Sequence, residues 1–132
     1  MLLDLYSDLN FWDKLFIKLK INNFAFEEIE KFVPKKGTII DLGCGHGLFA
    51  NYLSLTASER EILGLDLDKN RIAAAKQTEQ FQRKVEFKVK DICNFTIPSV
   101  DAITLIGVLY LIPYTRCSSF LRGRIKNQLK KV

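Results

Sequence analysis

Residues Thr38 to Leu48, TIIDLGCGHGL, constrain this chain more than any other stretch of it. Thr38, Ile39, Ile40 and Leu42 make a short apolar run rich in β-branched residues, the composition of a buried strand. Asp41 lies near its end, and Gly43, Gly45 and Gly47 then remove three β-carbons from the turn that follows. Leu48, Phe49 and Leu53 are spaced as the start of a helix. Strand, glycine turn and helix in that order set backbone N–H groups and a positive helix end beside a ligand. Glycine permits positive φ there and lets a ligand approach the backbone closely. The stretch reads as a cofactor pocket with a carboxylate anchor. Taken alone, the glycine cluster also fits a tight turn with no ligand.

The glycine spacing separates the cofactor classes. A dinucleotide fingerprint, G-x-G-x-x-G, would place its third glycine at 48, where Leu48 stands. That disfavours an NAD-dependent oxidoreductase, and no Gly-Lys-Ser/Thr ending marks a phosphate loop. The acid-x-Gly-x-Gly-x-Gly pattern from Asp41 to Gly47 instead resembles motif I of the class I S-adenosylmethionine-dependent methyltransferases. A second strand-like run, Glu61 to Leu67, places Asp66 nineteen residues beyond Gly47, where an acid suits a pair of ribose hydroxyls. One carboxylate can accept two hydrogen bonds from such a diol. Asp68 reads as the N-cap of the helix after it. The plainer alternative has both aspartates only ending a strand and capping a helix.

A third run, Val85 to Val89, alternates cleanly and leads to Asp91 and Ile92. The resemblance implies that Asp91 accepts from the adenine amine while Ile92 covers the ring. Val100 to Ile106 is a fourth strand with few charges, as in a central parallel strand. The likeness spans about residues 37–113 and rests on these motifs in order. It implies S-adenosyl-L-methionine as cofactor, bound by Asp41, Gly43, Cys44, Gly45, Gly47, Asp66, Leu67, Asp91 and Ile92, with no metal. The fold expected is α/β, a doubly wound Rossmann-like sheet of strand order 3-2-1-4 with its ligand at the carboxyl ends of the strands. Residues 1–36 would form a helical cap and 37–132 the cofactor-binding domain. Family members have seven strands, so the domain is expected to be truncated, lacking strands five to seven and leaving the fourth as an edge open to self-association.

Within the cap, Phe11, Trp12, Leu15, Phe16 and Leu19 recur at helical spacing, and Phe24, Ile29, Phe32 and Val33 do so more loosely. Pro34 to Gly37 breaks the pattern before the first strand. Tyr6, Phe11 and Trp12 are candidates to line the pocket, although packing as ordinary core is the usual fate of such residues. With Lys14, Lys18 and Lys20 the first helix also fits a peripheral contact with a membrane surface. His46, the sole histidine, sits between two motif glycines; the resemblance implies that this position varies and points along the cofactor, which argues against a general base.

With 132 residues there is room for one core. No apolar run reaches membrane-span length, and acids occupy the N-terminus where a signal peptide carries bases, so a cytoplasmic protein is expected. Three cysteines, Cys44, Cys93 and Cys117, lack metal or redox spacing and read as reduced thiols. Of the +5 net charge, residues 116–132 supply six basic side chains and no acid, so the remainder carries one net negative charge. That final stretch has Leu121, Ile125, Leu129 and Val132 on one helical face. No aromatic interleaving accompanies its charges, so a solvated helix face is preferred to a nucleic-acid surface.

Catalysis in such a family asks for positioning and exclusion of water more than for acid–base groups. The fourth strand ends Ile106-Gly107-Val108-Leu109-Tyr110, without the Asn/Asp-Pro-Pro-Tyr/Phe of many nitrogen methyltransferases. A small-molecule or lipid-like acceptor is therefore expected. Gly107 stands where many small-molecule enzymes of the class have a polar residue, so the catalytic residues stay unassigned. A non-catalytic binding or interaction module is the second reading.

Overall fold

A computed structural model describes residues 1–23, 25–82 and 84–106 of the chain. Two helices, α1 (Phe11–Asn23) and α2 (Phe26–Glu30), precede strand β1 (Lys36–Leu42). Helix α3 (Leu48–Thr56), strand β2 (Glu59–Asp66), helix α4 (Lys69–Gln77), strand β3 (Val85–Val89) and strand β4 (Ala102–Thr104) follow. The four strands form one sheet in the order β3-β2-β1-β4, and every pair is parallel. This is the α/β arrangement expected from the motif order. The fourth strand is shorter than the Val100 to Ile106 run, with Val100 forming an isolated bridge and packing in the core.

Alternation along each strand divides the core in two. Ile39 of β1, Ile62 of β2, and Val85 and Phe87 of β3 face α3 and α4, meeting Leu48, Phe49, Leu53, Ile72 and Ala75. Ile40, Leu42 and Leu65 face the other way. Among the described residues that second face is covered by Ile92, Ile97 and Val100 from the segment between β3 and β4. Asp68 accepts from the N–H groups of Asn70 and Arg71, capping α4 as its position predicts. No helix among the described residues is long and apolar enough to cross a membrane.

The cap departs from its periodicity. Phe11 and Trp12 are 70% and 74% exposed, and Leu15, Phe16 and Leu19 are also exposed, while Ile17 is the buried residue of α1. The apolar stripe therefore faces outward, and Phe11 and Trp12 do not line the pocket. Other apolar residues of the cap, Ile17, Phe26 and Val33 among them, join the main core, and polar contacts pin the cap in place. Tyr6 is buried, its hydroxyl donating to the His46 carbonyl and accepting from Asn51 Nδ2, each at 2.8 Å. Arg60, fully buried at the start of β2, donates to Glu30 Oε1 at 2.6 Å, to the carbonyls of Val33, Pro34 and Leu53, and to Thr56 Oγ1. Its hydrogen bonds join the end of α2, the last turn of α3 and the sheet. Cys93 is disulfide-bonded whereas Cys44 is a free thiol, which corrects the expectation of three reduced cysteines; odd number and sequence spacing do not report which thiols meet in space. Phe24 and the basic stretch 116–132 with its expected helix lie outside the described residues, as do Gly107 and Tyr110.

Burial decides which ion pairs matter. Glu28–Lys31 and Glu30–Arg60 are equally short, 2.7 and 2.6 Å, but the first is exposed and the second buried. Arg60→Ala is expected to lower unfolding free energy by about 3 kcal/mol, because it takes the buried partner from Glu30, which keeps only the exposed Lys35, and leaves buried carbonyls without their donor. Lys31→Ala should cost less than about 1 kcal/mol. Urea denaturation of both variants checks the contrast, and equal effects would contradict it.

Candidate functional site

The carboxyl ends of β1 and β2 and the turn between β1 and α3 meet at one place. Gly43, Gly45 and Gly47 all adopt positive φ, between 57° and 78°, a backbone that side chains with a β-carbon rarely take. Gly45 faces outward: a β-carbon there would meet only the ends of two side chains, Lys20 Nζ at 3.9 Å and Arg71 Cδ at 4.0 Å. Gly47 has a different reason to be glycine. A β-carbon on it would collide with the ring of the fully buried Phe87, as would one on Gly64 of β2. The third glycine thus lets α3 and its turn pack against the sheet.

Asp41 and Asp66 flank this turn in unlike environments. Register pairing sets Asp41 beside Thr104, whose hydroxyl donates to Asp41 Oδ1 at 2.7 Å. Asp41 is 3% exposed, and burial pushes its carboxyl up to about 7, against the lowering effect of the Thr104 hydrogen bond. The nearby Asp66 charge pushes in the same direction as burial, and Lys20 against it. Asp66 is half-buried and held by backbone donors, Gly45 N–H on Oδ2 and Asp68 N–H on Oδ1, each at 2.8 Å. Each oxygen keeps a further lone pair for a ligand. The turn amides have partners of their own: Gly45 N–H is bonded to Asp66, and Gly47 N–H donates to the Cys44 carbonyl at 2.9 Å.

A cavity of about 40 Å³ opens at this turn, lined by Asp41, Gly43, Cys44 and His46 from the loop and by Lys20 and Phe26 from the cap. Burial, then the charges of Asp41 and Asp66, pushes the Cys44 thiol up, so it stays protonated. Burial lowers the His46 imidazole and keeps it neutral. Its Nδ1 has no hydrogen-bond partner among the described residues, and its Nε2 lies 4.0 Å from Asp13 Oδ1. Burial, then Arg71, also lowers the Lys20 ammonium, which Asp66 and Asp41 favour.

The remaining positions singled out in the sequence stand differently. Leu67 is 68% exposed just past Asp66. Asp91 is exposed, and its two oxygens accept from Cys93 N–H and Asn94 Nδ2, both at 3.0 Å, so it organises its own turn. Ile92 is buried in the second core cluster with Ile40 and Leu65. Lys20 and Thr104 are site residues that the motifs did not reveal. Thr104 follows from strand register, whereas no local signal marks Lys20 among the lysines of α1.

Residues 39–131 match the model of a methyltransferase domain family. Protein 235L of Invertebrate iridescent virus 6, whose name describes it as a methyltransferase, is 42% identical over 65 residues, 49% of this chain and 23% of that protein. The malonyl-[acyl-carrier protein] O-methyltransferase of Legionella pneumophila is 31% identical over 70 residues, 52% of this chain and 24% of its own. The chain thus spans about a quarter of the length of these curated relatives. The crystal structure of a TehB-like SAM-dependent methyltransferase from Corynebacterium glutamicum superposes with a TM-score of 0.70 at 23% identity, covering 89% of this chain and 65% of that one. The family model spans most of the chain and the sheet order agrees with it: the chain belongs to the class I S-adenosylmethionine-dependent methyltransferases.

Proposed function

We propose that this chain forms the cofactor-binding part of a methyltransferase that passes the methyl group of S-adenosyl-L-methionine to a small-molecule or lipid-like acceptor. The observation that carries the cofactor assignment is the pair of carboxylates bracketing the glycine turn, one buried and one turned by backbone donors toward the strand ends. The residues present fit that cofactor. Asp41 supplies a buried acceptor for its amino-acid ammonium, and Asp66 keeps acceptor capacity for the ribose hydroxyls. Gly45 leaves the turn surface bounded by flexible side-chain ends instead of backbone. Leu67, Asp91 and Ile92 would lie on the adenine side, with Ile92 supplying packing from within the core and Asp91 an exposed acceptor.

When bound, S-adenosyl-L-methionine supplies an activated methyl group for in-line displacement. The chain's own part is then to orient and to exclude water. Phe26, Leu48, Phe49 and Ile106 give the cavity an apolar lining suited to both tasks. The Malonyl-[acyl-carrier protein] O-methyltransferase name of one relative and the missing Asn/Asp-Pro-Pro-Tyr/Phe element support an acceptor that is not a nucleobase. A cytoplasmic setting fits that reading.

Calorimetric titration of the chain with S-adenosylhomocysteine is expected to show 1:1 binding, and its absence at millimolar ligand would overturn the assignment. Asp66→Ala should weaken binding by roughly 10- to 100-fold, the worth of charge-assisted hydrogen bonds to a diol.

The high Asp41 value adds a pH dependence. In the ligand-free site Asp41 titrates at about 7, facing Asp66, Lys20 and Thr104. A ligand ammonium favours the ionised carboxylate, so binding below that pH expels a proton. Affinity is expected to rise by up to about tenfold per pH unit toward 7 and to level off above it. Titrations in buffers of different ionisation enthalpy read the proton release directly, and Asp41→Asn should abolish it.

A further inference from the structure

The cavity at the glycine turn is lined by charges of both signs. Asp41 places a buried carboxylate on the strand side, and α1 brings Lys20 across from the cap. The Lys20 ammonium would stand 3.9 Å from a β-carbon on Gly45, at the surface of the turn itself. Arg71 also approaches Gly45, but with its aliphatic Cδ, while its Nε pairs with Asp68 at 3.6 Å. The cation presented to the turn is therefore that of Lys20. His46 lines the same cavity, is more than nine-tenths buried, and keeps a ring nitrogen without a hydrogen-bond partner among the described residues.

The space itself is selective. About 40 Å³ of space open to water-sized groups is the scale of a small polar end group and well below that of a nucleoside. The amino-acid end of the cofactor carries one ammonium and one carboxylate. A buried acid and a lysine lining one small cavity are the complement of that zwitterion.

The geometry points to Lys20 as the residue that binds the cofactor's amino-acid carboxylate, with His46 as a neighbouring neutral donor. This rests on the cofactor reading proposed above. It makes the cap part of the binding site: α1 contributes one charged group through Lys20, and its exposed aromatic stripe contributes none.

Two ligands separate this role from general support of the fold. S-adenosylhomocysteine carries the amino-acid end; 5′-methylthioadenosine has the same nucleoside and thioether without it. Wild-type protein is expected to prefer the first. Lys20→Met keeps the apolar stem and removes the charge; it should weaken S-adenosylhomocysteine by roughly 10- to 100-fold, as for a lost hydrogen bond to a charged group, and leave methylthioadenosine within about twofold. Lys20→Arg should restore most of the preference. Unchanged S-adenosylhomocysteine affinity in Lys20→Met, or equal weakening of both ligands, would overturn the assignment of Lys20 alone. If wild-type protein binds neither ligand, the cofactor reading falls and this assignment with it.

Discussion

The ring of Phe87 holds the site together. It is fully buried on β3 and lies where β-carbons on Gly47 and Gly64 would otherwise be. Three segments are thereby fixed at one point: the N-terminus of α3, the middle of β2 and the face of β3. Because close-packed interiors cannot give by more than a few tenths of an ångström without cost, the turn from Gly43 to Gly47 has little room to shift against the sheet. The position of Asp66 follows from the same constraint. Gly45 N–H reaches its carboxylate only while the turn stays against the end of β2. The β1–β2 ladder sets the spacing of the two acids, and Phe87 holds the turn between them.

Those acids show how placement differentiates identical side chains. Asp41 lies on β1, between β2 and β4, and is screened from water with the Thr104 hydroxyl donating to it. Asp66 is the last residue of β2, half-buried, where two backbone amides hold its carboxylate. Burial outweighs one neutral hydrogen bond at Asp41, so its proton is held to near neutral pH. The first acid is poised to ionise when a cation arrives. The second is already oriented to accept.

Legibility in the sequence followed the range of the interactions concerned. Strand, turn and cap signals are local, and the glycine pattern and the Asp68 cap could be read from neighbours alone, whereas the order of the four strands came from the family resemblance that the motifs carry. The roles of individual glycines could not, because the reason for Gly47 is Phe87, forty residues away. Thr104 and Lys20 were missed for the same cause: each meets the turn across more than twenty residues of chain. Asp91 and Ile92 illustrate the opposite limit. The family motif places them at the adenine, while the structure gives Asp91 a local turn to hold and Ile92 a core to fill. These employments coexist with a ligand only where an acceptor lone pair or an exposed edge is left over.

The cap failed the periodicity argument in a way that bears on function. A helical stripe of Phe11, Trp12, Leu15, Phe16 and Leu19 should, by the usual rule, face the sheet. It faces away because Ile17, with Ile21 beside it, takes the inward side of α1, while the segments on either side are pinned by the Tyr6 hydroxyl on the glycine turn and by Arg60 reaching Glu30, Val33 and Pro34. Hydrogen bonds fix direction as well as proximity, whereas apolar contact is non-directional. The apolar contact of Ile17 and the directional bonds of the flanking segments together set α1 over the turn, so that a lysine, an aspartate and a histidine from separate elements meet at one small cavity. An apolar seam alone would leave the rotation of α1 less defined, and with it the placement of charge that distinguishes one end of a ligand from the other.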